Sequence, residues 1–174
     1  LNLVKKTGLR YAEPLLLIRI GAIKVELGEY GAAEELIRQL LSEWDCFGNN
    51  FEEYDLLARA CLGQDKIEKA LAAAQKSMTL ALKLNNQWCI GMAWHVIGMV
   101  ATRCSSVRIN DSDYTATRCF AESLKLLENT NWKVDQAHAL KDWAEYELKQ
   151  GDSVKGEAKW QEARKLFKKL KMPL

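Results

Sequence analysis

Small residues return in this chain at intervals that a globule with a single closed core would not require. The stretch from Leu17 to Leu41 reads LIRIGAIKVELGEYGAAEELIRQLL, an apolar helical run with Gly21 inside it, a break at Gly28, and a second run opening at Tyr30 and Ala33. The same layout returns three more times downstream. Gly21, Ala58, Gly98 and Ala144 sit mid-way through the leading run of each segment, at steps of 37, 40 and 46 residues. Ala33, Ala70, Ala116 and Gly156 sit in the trailing runs, at steps of 37, 46 and 40. Where two helices cross closely, a side chain extending beyond Cβ would force their axes apart, so recurring small residues predict recurring close crossings. A two-helix unit repeated at this period buries its faces only by stacking on its neighbours.

The helix pairs are predicted at Pro14–Leu27 with Tyr30–Trp44, Phe51–Leu62 with Lys66–Leu84, Gln87–Arg103 with Ser112–Glu128, and Val134–Gln150 with Ser153–Lys171. Their turns are Gly28-Glu29, Gly63-Gln64-Asp65, a longer polar loop around Ser105–Asp111, and Gly151-Asp152. Asp111 or Ser112 and Asp152 are candidate N-caps. The extra length of the third pair falls in its internal loop, where insertions are tolerated. Leu1–Gly8 reads as the end of a further helix capped at Gly8, and the non-methionine start suggests a fragment of a longer protein.

Composition supports helix throughout. The two prolines are Pro14 and Pro173, and no run alternates with period two, so no sheet is expected. The net charge of +2 gives no case for nucleic acid. It is unevenly spread: residues 13–50 carry three basic and seven acidic groups, residues 133–174 ten basic and seven acidic. That tilt is read as solvated outer faces, or as charge matching between neighbouring molecules or domains. The five cysteines are no closer than 15 residues apart, which offers neither a zinc knuckle nor a redox pair. Cys61 and Cys89 read as small core residues, and a reducing cytoplasmic compartment is expected. No stretch of 18 apolar residues suggests a membrane span.

The pattern resembles the tetratricopeptide repeat, W-x2-L-G-x2-Y followed by A-x3-F and a later proline. Trp94-x2-Ile97-Gly98 and Ala116-x3-Phe120 reproduce it best. Leu17-x2-Ile20-Gly21 with Ala33-x3-Ile37, Tyr54-x2-Leu57-Ala58 with Ala70-x3-Ala74, and Leu140-x2-Trp143-Ala144 with Gly156-x3-Trp160 fill the other pairs. The late proline is missing from the internal repeats, and the spacing exceeds the family's 34 residues. The long repeats also resemble the C-terminal helical arrays of bacterial signal-transduction ATPases, LuxR-type activators and multidomain cyclases or kinases. The resemblance implies an all-α fold, a right-handed α-solenoid of about four helix pairs forming a single domain over residues 1–174.

No HExxH, GxSxG or phosphate-loop pattern occurs, so no enzyme activity, cofactor or metal is expected. In the family the leading helices line a concave face. The repeat register carried over from it places Glu52, Asp55 and Arg59 on that face from the second pair. The third pair contributes Met92, His95, Met99 and Arg103, with Thr102, and the fourth His138, Lys141 and Glu145, with Lys149. Family members that clamp a peptide C-terminus use lysines and asparagines at positions where this chain has Ile18 and Ala22, so an acidic C-terminal peptide is not the expected ligand.

The expected role is a protein-interaction scaffold that binds a peptide or another domain of the parent chain, with self-association through exposed end faces. The alternative is a small-molecule sensing domain with a pocket around Met92, His95 and Met99. Of the six tryptophans, Trp44, Trp88 and Trp132 fall at junctions between pairs, as packing residues or as exposed anchors, while Trp94, Trp143 and Trp160 lie on core stripes.

Overall fold

The computed structural model describes residues 12–43, 50–109 and 111–172. The expected helix end at Gly8, Trp44 and the loop from Asp45 to Asn49 lie outside the described residues. The described chain is helical apart from one small antiparallel strand pair. Its helices are α1 (Ala12–Glu26), α2 (Tyr30–Glu43), α3 (Phe51–Gly63), α4 (Ile67–Leu84), α5 (Gln87–Ala101), α6 (Ala116–Leu127), α7 (Lys133–Lys149) and α8 (Ser153–Leu170). The strands are β1 (Val107–Ile109) and β2 (Ser112–Tyr114), between α5 and α6.

The same stop signal ends several of the helices. After α1, Gly28 adopts φ +76° while its N–H donates to Val25 and that of Glu29 donates to Lys24. These two bonds satisfy carbonyls that the helix end leaves open, and the left-handed residue between them favours glycine. Gly151 does the same after α7 at φ +87°, with bonds to Leu148 and, from Asp152, to Glu147. After α3 the left-handed residue is Asp65 (φ 59°), not Gly63. Gly63 is glycine for another reason: a Cβ there would run into the Tyr30 ring. At the starts, the Asn86 side chain accepts from the N–H groups of Trp88 and Cys89, and Asp152 accepts from Lys155, as expected of an N-cap.

The connection in the third pair departs from the sequence expectation of a loop and a helix from Ser112. Val107 pairs with Tyr114, Arg108 with Asp113 and Ile109 with Ser112. Val107 and Ile109 turn their branched side chains inward and β1 packs against α5, while Arg108 points outward and bonds Asp113 across the ribbon. A short alternating segment beside an apolar helix buries two side chains as strand that a polar loop would leave in water. Thr115, rather than Asp111 or Ser112, caps α6 through its hydroxyl to the Arg118 N–H.

The chain divides into two compact units, Leu1–Leu80 and Ala81–Leu174. In the first, α3 packs against both α1 and α2. In the second, α7 packs against both α5 and α6, and α8 lies along α7. Within each unit, then, the leading helix of one pair rests on both helices of the pair before it. All eight recurring small residues are buried. A Cβ on Gly21 would lie 2.6 Å from Ile37 Cδ1, and one on Gly98 3.0 Å from two atoms of the Phe120 ring. Ile37 and Phe120 each stand four residues after the small residue of their own helix, so the two contacts are the same contact in two pairs.

Replacing Gly98 with leucine should destabilise the protein by about 2–3 kcal/mol through overpacking against Phe120. Gly31→Ala, on the exposed side of α2 with only Gln64 nearby, should stabilise it by about 0.5–1 kcal/mol. Urea midpoints at constant slope read both changes.

Candidate interaction face

The positions expected on a concave face recur with one spacing. Glu52, Asp55 and Arg59 on α3, Met92, His95 and Met99 on α5, and His138, Lys141 and Glu145 on α7 each follow i, i+3, i+7. That spacing places each trio on one side of its helix. The structure treats the trios differently.

On α3, Asp55 is buried and accepts a 2.8 Å bond from Arg59 Nε, and Glu52 meets Arg19 of α1 at 3.3 Å. On α5, Met92 and Met99 are half-buried, whereas His95 is 1% exposed. Its ring N–H donates to Asp142 Oδ2 of α7 at 2.8 Å. His95 therefore works inside the α5–α7 contact rather than on an open surface. On α7, half-buried His138 meets the Phe167 ring edge-on at 5.3 Å, and Lys141 and Glu145 form a loose i,i+4 pair at 3.8 Å. Arg103 is exposed beyond the end of α5.

A second polar rung runs parallel to the histidine pair. Trp88 Nε1 donates to Asp135 Oδ2 at 2.8 Å. Both rungs join residues 47 apart, and they are seven residues apart on each helix, which is two turns. A constant offset along both helices means that α5 and α7 run parallel in fixed register. Asp135 and Asp142 do not stand out in the sequence, because the register of the resembled repeat points to the positions beside them on the helix. Their seven-residue separation, matching Trp88 and His95, was the available signal.

The trailing helices are tied to the next leading helix by carboxylates. Glu34 of α2 is buried and accepts from Lys66 Nζ at 2.7 Å, Gln64 Nε2 at 2.8 Å and Arg38 Nε at 2.9 Å. The Lys66 bond leads in holding its carboxyl down at about 2, with Arg38 and Gln64 adding to it against the opposing effect of burial. In the other unit Glu147 of α7 accepts from Trp143 Nε1 at 2.6 Å, Thr117 Oγ1 of α6 at 2.7 Å and Lys155 Nζ of α8 at 2.7 Å. Burial pushes the Glu147 carboxyl up, and the bonds from Lys155, Thr117 and Trp143 outweigh it, leaving the group below its ordinary value. Glu34–Gln64 and Thr117–Glu147 both span 30 residues. Each joins the start of a trailing helix to the end of the next leading helix or the turn after it.

The aromatic residues fall into two settings. Trp88 and Trp132 stack with centroids 5.0 Å apart at the starts of α5 and α7, and Trp132 stays more than half exposed. Trp94 is covered by Tyr114 of β2 at 4.8 Å, and the Arg118 guanidinium lies 4.1 Å over Tyr114. Trp143 is buried, with the ammonium groups of Lys159 and Lys155 at 4.8 and 5.4 Å from its ring.

Cys61, Cys89 and Cys119 are buried thiols, and burial pushes Cys119 up to about 12, so it stays protonated. No helix among the described residues is long and apolar enough to cross a membrane. No family model matches the chain, and no curated protein matches it by sequence.

Ionised Glu34 contributes its full stabilisation above the unfolded value of 4.5, and that contribution is lost progressively as pH falls from 4.5 through about 2. The wild type should lose up to about 3 kcal/mol over that interval from this group, and Glu34→Gln should flatten that part of the curve. Chemical denaturation at stepped pH measures it. Glu147→Ala leaves buried Trp143 Nε1 and Thr117 Oγ1 without their acceptor and should cost about 2–4 kcal/mol, with Lys155→Ala costing less because Glu147 then keeps its bonds from Trp143 and Thr117.

Proposed function

We propose that this chain is a protein-interaction scaffold of the tetratricopeptide type, its four helix pairs continuing as one right-handed stack whose leading helices present a concave surface. The carrying observation is the packing rule found independently in each unit, where a leading helix rests on both helices of the preceding pair. The recurring 30-residue ties and the buried small residues support the same reading. A stack built by one repeated rule bends steadily and offers an extended groove, which suits an extended peptide or a neighbouring domain.

The proposed binding set is Glu52, Arg59, Met92, Met99, Arg103, His138, Lys141 and Glu145, with two buried residues acting from beneath, Asp55 by holding Arg59 and His95 by fixing α5 on α7. The half-buried methionines supply adaptable apolar contact, and the charged positions supply orientation. We propose no catalytic role, cofactor or metal for this face.

Two experiments test the reading. Small-angle scattering should give a radius of gyration clearly above the ~16 Å of a compact globule of this length. A value at or below that figure refutes the stack. A random-peptide display selection followed by NMR titration should yield ligands whose shifts map to α3, α5 and α7, with Met99→Ala and Lys141→Ala weakening them about three- to tenfold. Shifts confined to α2, α6 and α8 refute the groove.

A further inference from the structure

Helix α1 is apolar on two opposite sides. Ile18 and Gly21 face inward, with Gly21 against Ile37 of α2. On the other side Leu16, Ile20, Ile23 and Leu27 follow i, i+4, i+7, i+11, one continuous stripe along the helix and its first following residue. Leu16 is 40%, Ile23 57% and Leu27 69% exposed, and Leu15 flanks them at 61%. The last described helix contrasts with this: the outward positions of α8 include Glu157, Gln161, Glu162, Arg164, Lys165 and Lys168, a polar face suited to water. Apolar surface of this continuity on one helix marks a contact.

The stripe is symmetric about its own midpoint, with gaps of four, three and four residues. A helix with such a stripe is complementary to an antiparallel copy of itself. A two-fold axis at the midpoint sets Leu16 against Leu27 of the other copy and Ile20 against Ile23. The charges beside the stripe fit the same arrangement. Arg19 and Glu26 lie on one flank, both exposed, and two-fold pairing brings each Arg19 within about two residues' rise, roughly 3 Å along the axis, of the opposing Glu26. The pair forms twice. Arg19 contacts Glu52 of its own chain at 3.3 Å, but the arginine is largely exposed there and such a contact is worth little, so it can be shared. A parallel copy would set this flank against the opposite one, bringing Arg19 towards Lys24 of the other copy, a like-charge pair.

We infer that α1 is a homodimerisation surface, taking a second copy of this chain antiparallel across the Leu16–Ile20–Ile23–Leu27 stripe with reciprocal Arg19–Glu26 pairs.

Sedimentation equilibrium on the intact 174-residue chain tests it directly. A monomer–dimer equilibrium that stops at the dimer is expected, because a two-fold contact closes on itself. Ile23→Glu should weaken dimerisation at least tenfold while far-UV circular dichroism stays that of the wild type, since the side chain faces water in the monomer. Arg19→Glu and Glu26→Arg should each weaken it about three- to tenfold, and the combined exchange should restore it. These charge variants carry the test if Ile23→Glu fails to fold. A strict monomer at high concentration, open-ended growth beyond the dimer, or a dimer indifferent to Ile23→Glu and to the charge exchange overturns the proposal.

Discussion

The close crossing of two helices at a residue with little or no side chain is the constraint on which the rest of the structure depends. At Gly21 a Cβ would press on Ile37 Cδ1 at 2.6 Å and at Gly98 on the Phe120 ring at 3.0 Å, so the large side chain would have to give way at each. The large residue of the trailing helix packs where the leading helix carries little or no side chain, and the two helices approach closely because of it. Dispersion and hydrophobic burial then act over the whole contact. Ala58 and Ala144 are fully buried in the same register position, so the rule does not require glycine, only smallness. Polar contacts come second in magnitude. They fix which turn lies against which, and their penalty when broken exceeds their net gain when made.

Those polar contacts explain register. Two rungs between α5 and α7, separated by two turns on each helix, leave little freedom to slide. Glu34 and Glu147 each gather three donors, and the donors come from more than one helix or turn. A carboxylate held this way stays ionised to low pH and reports the integrity of the joint between pairs. For the proposed scaffold, packing bears on function through this rigidity: a binding face made of several helices is selective only if their spacing is held.

Much of this was legible in the sequence because helix pairing leaves a periodic trace. Small residues at matched steps, the glycine stops at Gly28 and Gly151, and the cap at Asp152 could be read directly. The strand pair could not be read from periodicity, since three residues a side are too few; the signal is Val107 and Ile109 alternating around Arg108 before the dipeptide Asn-Asp. The sequence suggests a turn role for Gly63, but the turn's left-handed position is Asp65 and the glycine makes room for Tyr30. The face positions were named by family register, which says which side of a helix a residue takes and not what stands opposite it. Register therefore points to His95 without revealing Asp142 opposite it or the burial of the ring.

The central claim is that a helix pair has too little core of its own and is completed by its neighbour. Residues 133–172, which span α7 and α8, give the most direct measurement when made as an isolated peptide. Without α5 and α6, the buried faces of Ala137, Leu140 and Trp143 and the Thr117 bond to Glu147 lose their partners. The account predicts weak helicity by circular dichroism and a broad melt without a cooperative transition. A monomeric peptide with full helicity and a sharp, two-state unfolding transition would contradict it.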